Sequence, residues 1–181
     1  MDELAVRLAA HERPVLEPAE GQRRAAVLVP LFVRDGALRV LLTRRTETVE
    51  RHRGQISFPG GVEEEDDATP FATAARETEE ELGIPTEDVR LLGALTPLTI
   101  VTDFFVEPFV GAIPYPHVLR PADAEIAEVI DAPVAALLDP KILETRLLPG
   151  REVPTLFYHY GHHVIWGATA RILRELLDAL S

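Results

Sequence analysis

Three carboxylates, Glu77, Glu80 and Glu81, stand three and four residues apart in the run Arg76-Glu77-Thr78-Glu79-Glu80-Glu81-Leu82-Gly83. Positions so spaced are neighbours on a helix surface, so these acids share one arc and repel one another. Arg76 is the basic residue at helical spacing that relieves them. Hard divalent cations take oxygen ligands of this kind, and Mg2+ is typically held by a few carboxylates together with substrate phosphate oxygens. Without further context an acidic helix reads as a solvated face.

The elements that must present the acids are legible on either side. Thr69 is a good N-cap, and Pro70 suits the first helical position, where a missing N–H has no intrahelical partner to lose. Leu82-Gly83, with Pro85 beyond it, marks the stop. At about 100° per residue, Phe71, Ala74, Ala75, Thr78 and Leu82 form the packing side. Upstream lie the paired glycines Gly60-Gly61, which let the backbone turn closely beside a metal site, and an acidic loop from Glu63 to Asp67.

With the glycines and the loop, Arg76-Glu77-x-x-Glu80-Glu81-x-Gly83-Ile84 resembles the Nudix box, the signature of hydrolases that cleave a nucleoside diphosphate linked to another group. Two departures stand out. The interval from Gly61 to Arg76 is one residue longer than usual, so the loop acid is sought among Glu63 to Asp67. Thr78 also occupies a position that is usually aliphatic. The resemblance implies that Glu77 and Glu81 anchor Mg2+ or Mn2+, and that Glu80 binds metal or orients water. It implies that Arg76 fixes a helix glutamate rather than touching substrate. The chemistry implied is metal-assisted displacement at phosphorus without a covalent intermediate.

A narrower resemblance lies just upstream. Leu41-Leu42-Thr43-Arg44-Arg45-Thr46, then Gly54, then Phe58-Pro59-Gly60-Gly61 is similar to the additional signature of the coenzyme A diphosphatase branch of the Nudix hydrolases. Thr46 stands where that branch has serine, and Glu50 where it has arginine, with Arg51 next door. The extra residue in the box is expected in this branch. By itself the segment is a basic patch of Arg44, Arg45, Arg51 and Arg53 with His52. Guanidinium matches phosphate geometry through bidentate, charge-assisted hydrogen bonds, while the plainer reading is a solvated loop paired with nearby acids. The substrate implied is coenzyme A or an acyl derivative, cut to 3',5'-ADP and 4'-phosphopantetheine, with its 3'-phosphate as a target for the patch. Gly60 and Gly61 complete the expected substrate-binding set. ADP-ribose or another dinucleotide remains an alternative substrate. A non-catalytic nucleotide-binding regulator and a purely structural acidic domain are the readings from other classes.

Composition bounds these readings. The 181 residues suit one domain with a substantial core. Cysteine is absent, which excludes disulfides, thiolate nucleophiles and Cys-based metal sites, and fits a reducing compartment. Met1-Asp2-Glu3-Leu4 lacks the pattern of a secretory signal, and no apolar run approaches the roughly 20 residues of a membrane span. The expectation is a cytoplasmic protein with no membrane partner. A net charge of −12 argues against non-specific nucleic-acid binding. It also means that an anionic substrate needs metal and local arginines. A homodimer is left open.

Along the rest of the chain, residues 1 to 13 suit a short amphipathic helix with Leu4, Val6, Leu8 and Ala9 available for packing. Residues 24 to 34 and 38 to 44 read as strands joined by an Asp35-Gly36 turn, and Pro30 suggests an edge or a bulge. Ile56-Ser57-Phe58 reads as a short strand, and 89 to 95 and 104 to 113 as further ones. Thr96 to Asp103 reads as a loop bordering the substrate. Glu125 reads as a surface acid, with a role as base suggested only by the family. Residues 134 to 138 suit a short helix, and 145 to 148 with 154 to 160 a hairpin. Tyr158, His159, Tyr160, His162 and His163 tempt a metal reading, but strand alternation divides them and a plain turn is expected. Val164 to Thr169 start a last helix that carries Ile172, Leu173, Leu176, Leu177 and Leu180 on its apolar side. Trp166-Gly167-Ala168-Thr169-Ala170 also looks like the end of the coenzyme A branch. The fold implied is an α/β/α sandwich with a mixed β-sheet. Residues 1 to 181 form one domain, with a core at about 24–175 and an N-terminal extension at 1–20.

Overall fold

Strand β1 (Arg23–Arg34) runs through the middle of an eight-stranded sheet. The computed structural model describes residues 1–47, 54–100, 103–150 and 152–181. After α1 (Asp2–Ala10) and β1 come β2 (Ala37–Arg45), β3 (Ile56–Ser57), β4 (Gly60–Val62) and α2 (Pro70–Leu82). Strands β5 (Arg90–Ala94), β6 (Leu98–Ile100), β7 (Phe104–Ala112) and β8 (Ile126–Pro133) follow, then α3 (Val134–Leu137). The chain closes with β9 (Leu143–Arg146), β10 (Thr155–Tyr160), β11 (His163–Trp166) and α4 (Gly167–Leu180).

β1 and β7 pair in parallel from Arg23↔Phe104 to Leu31↔Ala112. The other pairings, β1–β2, β1–β4, β2–β3, β2–β8, β5–β7 and β6–β7, are antiparallel. The sheet is therefore mixed, as expected. Successive residues of a strand face opposite sides, and both sides here are apolar. Leu28, Phe32 and Leu41 pack with Ala74, Leu82 and Ile84 on the α2 side. Val29, Leu31, Val40 and Leu42 pack in the cluster that holds Leu4, Leu8, Leu173 and Leu176 of α1 and α4. Helices thus cover both faces, which is the α/β/α sandwich. The β9–β10–β11 sheet joins the second cluster through Tyr158 and Ile165.

Four expectations change. The last helix starts at Gly167 and not at Val164, because His163–Trp166 pair with β10 as a strand. Pro30 lies in a central strand, because β1 shares one flank between two partners: Ala25–Val27 pair with β4 and Leu31–Arg34 with β2. The Leu28 N–H donates toward that flank, to the Pro59 carbonyl. Two residues on, Pro30 nitrogen faces the gap between β4 and β2, where no ladder donor is required. Residues 96 to 103 are not all loop, since Leu98–Ile100 pair with Phe104–Val106. In α1 only Leu4 and Leu8 are buried, while Val6 is 69% exposed; an i, i+4 stripe suffices for a short helix laid on a sheet. The Asp35-Gly36 turn forms as read, with φ of 52° and 76°, the pair of positive values a tight hairpin requires.

Candidate active site

α2 begins and ends where the sequence places it. Thr69 Oγ1 accepts from the Ala72 N–H at 3.1 Å, Pro70 opens the helix, and Gly83 closes it at φ 71°, donating to the Glu79 carbonyl. Ala74 and Ala75 are small enough to let the helix lie close to the sheet, and Leu82 is fully buried. That seating turns the neighbouring arc, with its glutamates, toward β4.

Arg76 organises the arc. Its Nε and Nη2 donate to Asp67 Oδ1 and Oδ2, both at 3.1 Å. Nη1 donates to Glu77 Oε1 and to Glu80 Oε1, again at 3.1 Å, and Nη2 also reaches the Val62 carbonyl. A guanidinium has five N–H donors, and here each has a protein acceptor. Arg76 thus ties loop, strand and helix together and has no donor left for a substrate. Of the five loop acids from Glu63 to Asp67, Asp67 is the one that Arg76 holds with two hydrogen bonds. Its carboxylate is nearly buried, also accepts the Glu64 N–H, and is held at a pKa of about 2 chiefly by Arg76.

The three glutamates are not equivalent. Glu80 is turned outward, 59% exposed. Glu77 is largely buried, and burial pushes its carboxyl up against the pull of Arg76. Glu81 is buried most deeply, and burial pushes it to about 8 although Arg45 opposes the shift from 3.6 Å. Glu81 Oε2 is buried and, among the described residues, has no hydrogen-bond partner. Burying such an oxygen is costly unless a proton or a cation meets it. Glu77 and Glu81, one turn apart and with Glu80 beside them, are the hard oxygen donors that a small divalent cation takes. The residues present therefore fit a metal.

The two glycines act differently. Gly60 has φ 153°, and a Cβ there would lie 2.3 Å from the Ala26 carbonyl oxygen of β1. At Gly61 a Cβ would lie 2.3 Å from Glu77 Oε1. Gly60 thus lets β4 lie against β1, and Gly61 leaves room for the Glu77 carboxylate.

The basic patch divides. Arg45, on the α2 side of β2, sits between Glu81 at 3.6 Å and Glu125 at 3.4 Å. Arg44, on the other side, donates to Glu128 Oε2 at 3.0 Å. Arg51 and Arg53, with Glu50, lie outside the described residues. Glu125 is half-exposed yet held at the site, for its carbonyl accepts the Thr46 N–H at 2.8 Å. Sequence spacing gave no sign of this Glu81–Arg45–Glu125 chain, which needs α2, β2 and the segment before β8 together.

A cavity of about 220 Å3 opens on the α2 side of the sheet. Phe32 and Tyr115, stacked at 5.4 Å, form one wall, with Leu41, Leu119 and Val129 around them. Leu119 precedes Arg120, whose N–H donates to the Leu82 carbonyl, and the Ala122 N–H donates to the Glu81 carbonyl. One segment therefore runs from the cavity to the glutamates.

The Nudix domain family matches residues 22–159. A protein of Photorhabdus laumondii, named uncharacterized Nudix hydrolase NudL, is 38% identical over 160 residues, covering 87% of this chain and 85% of its own. Among solved structures, a Nudix hydrolase from Alicyclobacillus acidocaldarius superposes with a TM-score of 0.59 at 20% identity, covering 87% of this chain and 91% of its own. The Nudix domain of Shewanella oneidensis NrtR, complexed with ADP-ribose, gives 0.53 at 19% identity over 66% and 78% of the two chains. These last two show a shared fold. The family match spans α2 and the box it carries, and the chain belongs to the Nudix domain family.

Proposed function

We propose that this protein hydrolyses the diphosphate linkage of coenzyme A and its acyl derivatives, giving 3',5'-ADP and 4'-phosphopantetheine. The observation that carries the hydrolytic part is Glu81 Oε2, buried and without a hydrogen-bond partner among the described residues, beside Glu77, whose carboxylate fills the room that Gly61 leaves. The narrower substrate rests on the likeness of Leu41 to Thr46, Gly54 and Phe58 to Gly61 to the coenzyme A branch.

Glu77 and Glu81, with Glu80 at the rim, would hold Mg2+ or Mn2+. When bound, such an ion neutralises diphosphate oxygens and makes a coordinated water more acidic. Arg76 is a positioning residue, since its contacts fix Glu77 and Glu80 relative to the loop. In the reaction a water oxygen forms a new bond to phosphorus and the bridging P–O bond breaks. The water's proton passes to solvent or to a basic group, for which half-exposed Glu125, paired with Arg45, is a candidate outside the helix set. Arg45, Arg51 and Arg53 are the proposed phosphate partners, whereas Arg44, expected among them, is committed to Glu128 on the other face of the sheet. For Arg45, phosphate must compete with Glu81 and Glu125. The cavity walled by Phe32 and Tyr115, with Arg34, His117 and Asp131 also in its lining, offers a mixed aromatic and polar surface to an organic part of the substrate. Residues 1 to 181 act in this reading as one domain.

The test is product analysis with coenzyme A and with ADP-ribose, in Mg2+ or Mn2+, beside Glu81→Gln. Release of 3',5'-ADP and 4'-phosphopantetheine by the wild type alone supports the proposal. Cleavage of ADP-ribose but not coenzyme A keeps the diphosphate chemistry and moves the substrate to the second reading, which the ADP-ribose complex of the Shewanella domain favours. Cleavage of neither makes the chain a binding protein.

A further inference from the structure

We propose that Glu128, His162 and His163 form a second metal site, for a borderline divalent ion such as Zn2+, Ni2+ or Co2+, on the sheet face opposite α2. The residues come from separate sheets: Glu128 from β8, and the histidines from the turn and first residue of the β10–β11 hairpin. His163 Nε2 lies 3.0 Å and His162 Nε2 4.0 Å from the same oxygen, Glu128 Oε1. One ligand atom from each residue lies within 4.8 Å of the other two. Tetrahedral Zn2+ with bonds of about 2.0–2.1 Å needs its ligand atoms roughly 3.4 Å apart, so the observed spread brackets the required one.

The surroundings separate this group from a chance pairing. The other carboxylate oxygen, Oε2, accepts from Arg44 Nε at 3.0 Å, which orients the group and leaves Oε1 to the histidines. That is the outer-shell support that metal-binding carboxylates commonly have. His163 is only 10% exposed, so its ring is held in place, whereas His162 is 82% exposed and can turn inward to close the set. The two rings, 3.9 Å between centroids and tilted by 37°, both turn an Nε2 toward one carboxylate. Imidazole nitrogen selects transition ions over Mg2+, which prefers an all-oxygen shell. The two sites therefore differ in metal. Arg44 and Arg45, adjacent on β2, belong to different ones. An ion at the second site joins β8 to the hairpin, and so clips the small sheet to the large one.

The test uses the untagged full chain in excess Mg2+, which occupies the helix glutamates. Co2+ is titrated by its visible absorption, and Zn2+ by its effect on thermal unfolding, since an ion that binds only the folded state raises Tm. The wild type should show a saturable Co2+ band and a Zn2+-dependent rise in Tm. His162→Ala, Glu128→Gln and His163→Gln should each weaken both by more than the roughly tenfold typical of losing an outer-shell partner. His162→Ala, at an exposed turn, should fold normally and keep its Mg2+-supported hydrolysis. Glu81→Gln should keep the Co2+ band and lose hydrolysis, which separates this inference from the proposed function. A wild type without a saturable band, a His162→Ala protein that titrates like the wild type, or a band removed by Glu81→Gln would each overturn it.

Discussion

Glu77 Oε1 occupies the space that a methyl group on Gly61 would need, with only 2.3 Å between them. The carboxylate of one helix residue and the missing side chain of one strand residue are thus complementary. Gly61→Ala must push Glu77 away from Glu81 or lift β4 from α2. Displacing a reacting group by about 1 Å can cost on the order of 100-fold in rate. The expected outcome is a kcat loss of about that size for Gly61→Ala, with an unchanged circular dichroism spectrum. Wild-type turnover would show that Glu77 need not sit there.

Arg76 should not be replaceable by lysine. An ammonium has three donors on a flexible stem, where the guanidinium satisfies Asp67, Glu77, Glu80 and Val62 at once. Arg76→Lys is expected to lose about 2 kcal/mol of stability, because nearly buried Asp67 forfeits a bidentate partner. Urea unfolding measures this. Activity should fall at least tenfold even where the protein remains folded.

The Asp67–Arg76 pair also predicts an acid limb. The Asp67 pKa is depressed in the folded protein, about 2 against a usual 3.8. Such a group contributes stability that is complete above the unfolded value and is lost as pH falls through the folded one. In Asp67→Asn that contribution is missing at every pH. The stability gap between wild type and Asp67→Asn should therefore be constant above about pH 5, narrow below pH 4 and shrink further toward pH 2. Urea melts across that range would show it; a gap that stays constant to pH 2 would place the pair's contribution elsewhere.

Thr69→Ala removes the side-chain cap of the helix that carries the site. The expected cost is about 1 kcal/mol, read as a lower Tm, with little change in activity per folded molecule. Thr69→Asn, another good cap, should recover most of it.

The helix was legible because its signals are local. Thr69, Pro70 and Gly83 set its ends by short-range chemistry, and the spacing of Glu77, Glu80 and Glu81 places them on one arc whatever surrounds them. What the sequence hid is non-local. Pro30 looked like an edge residue because nothing in its neighbourhood shows that β1 changes partner beside it. Strand β6 is three residues long and owes its existence to β7. Spacing put Glu77, Glu80 and Glu81 together but not their different burial, which follows from how α2 seats against β4. Strand alternation separated His159 from Tyr158 and Tyr160, as it does within β10, yet it could not foresee that Glu128 would come to His162 and His163 from another sheet.

The alternation of β2 has one more consequence. Arg44 and Arg45 are neighbours in the chain, yet they serve opposite faces, one meeting Glu128 and the other Glu81 and Glu125. A slip of the ladder by one residue would exchange them and spoil both faces at once. The β2–β8 register shifts between these two arginines, Arg44 opposite Glu128 and Arg45 opposite Ile126, and a bulge is the device that pins a register. An insertion that lengthened β2 would therefore disturb the protein more than the loss of either arginine, because it would rewire two sites through a single displacement.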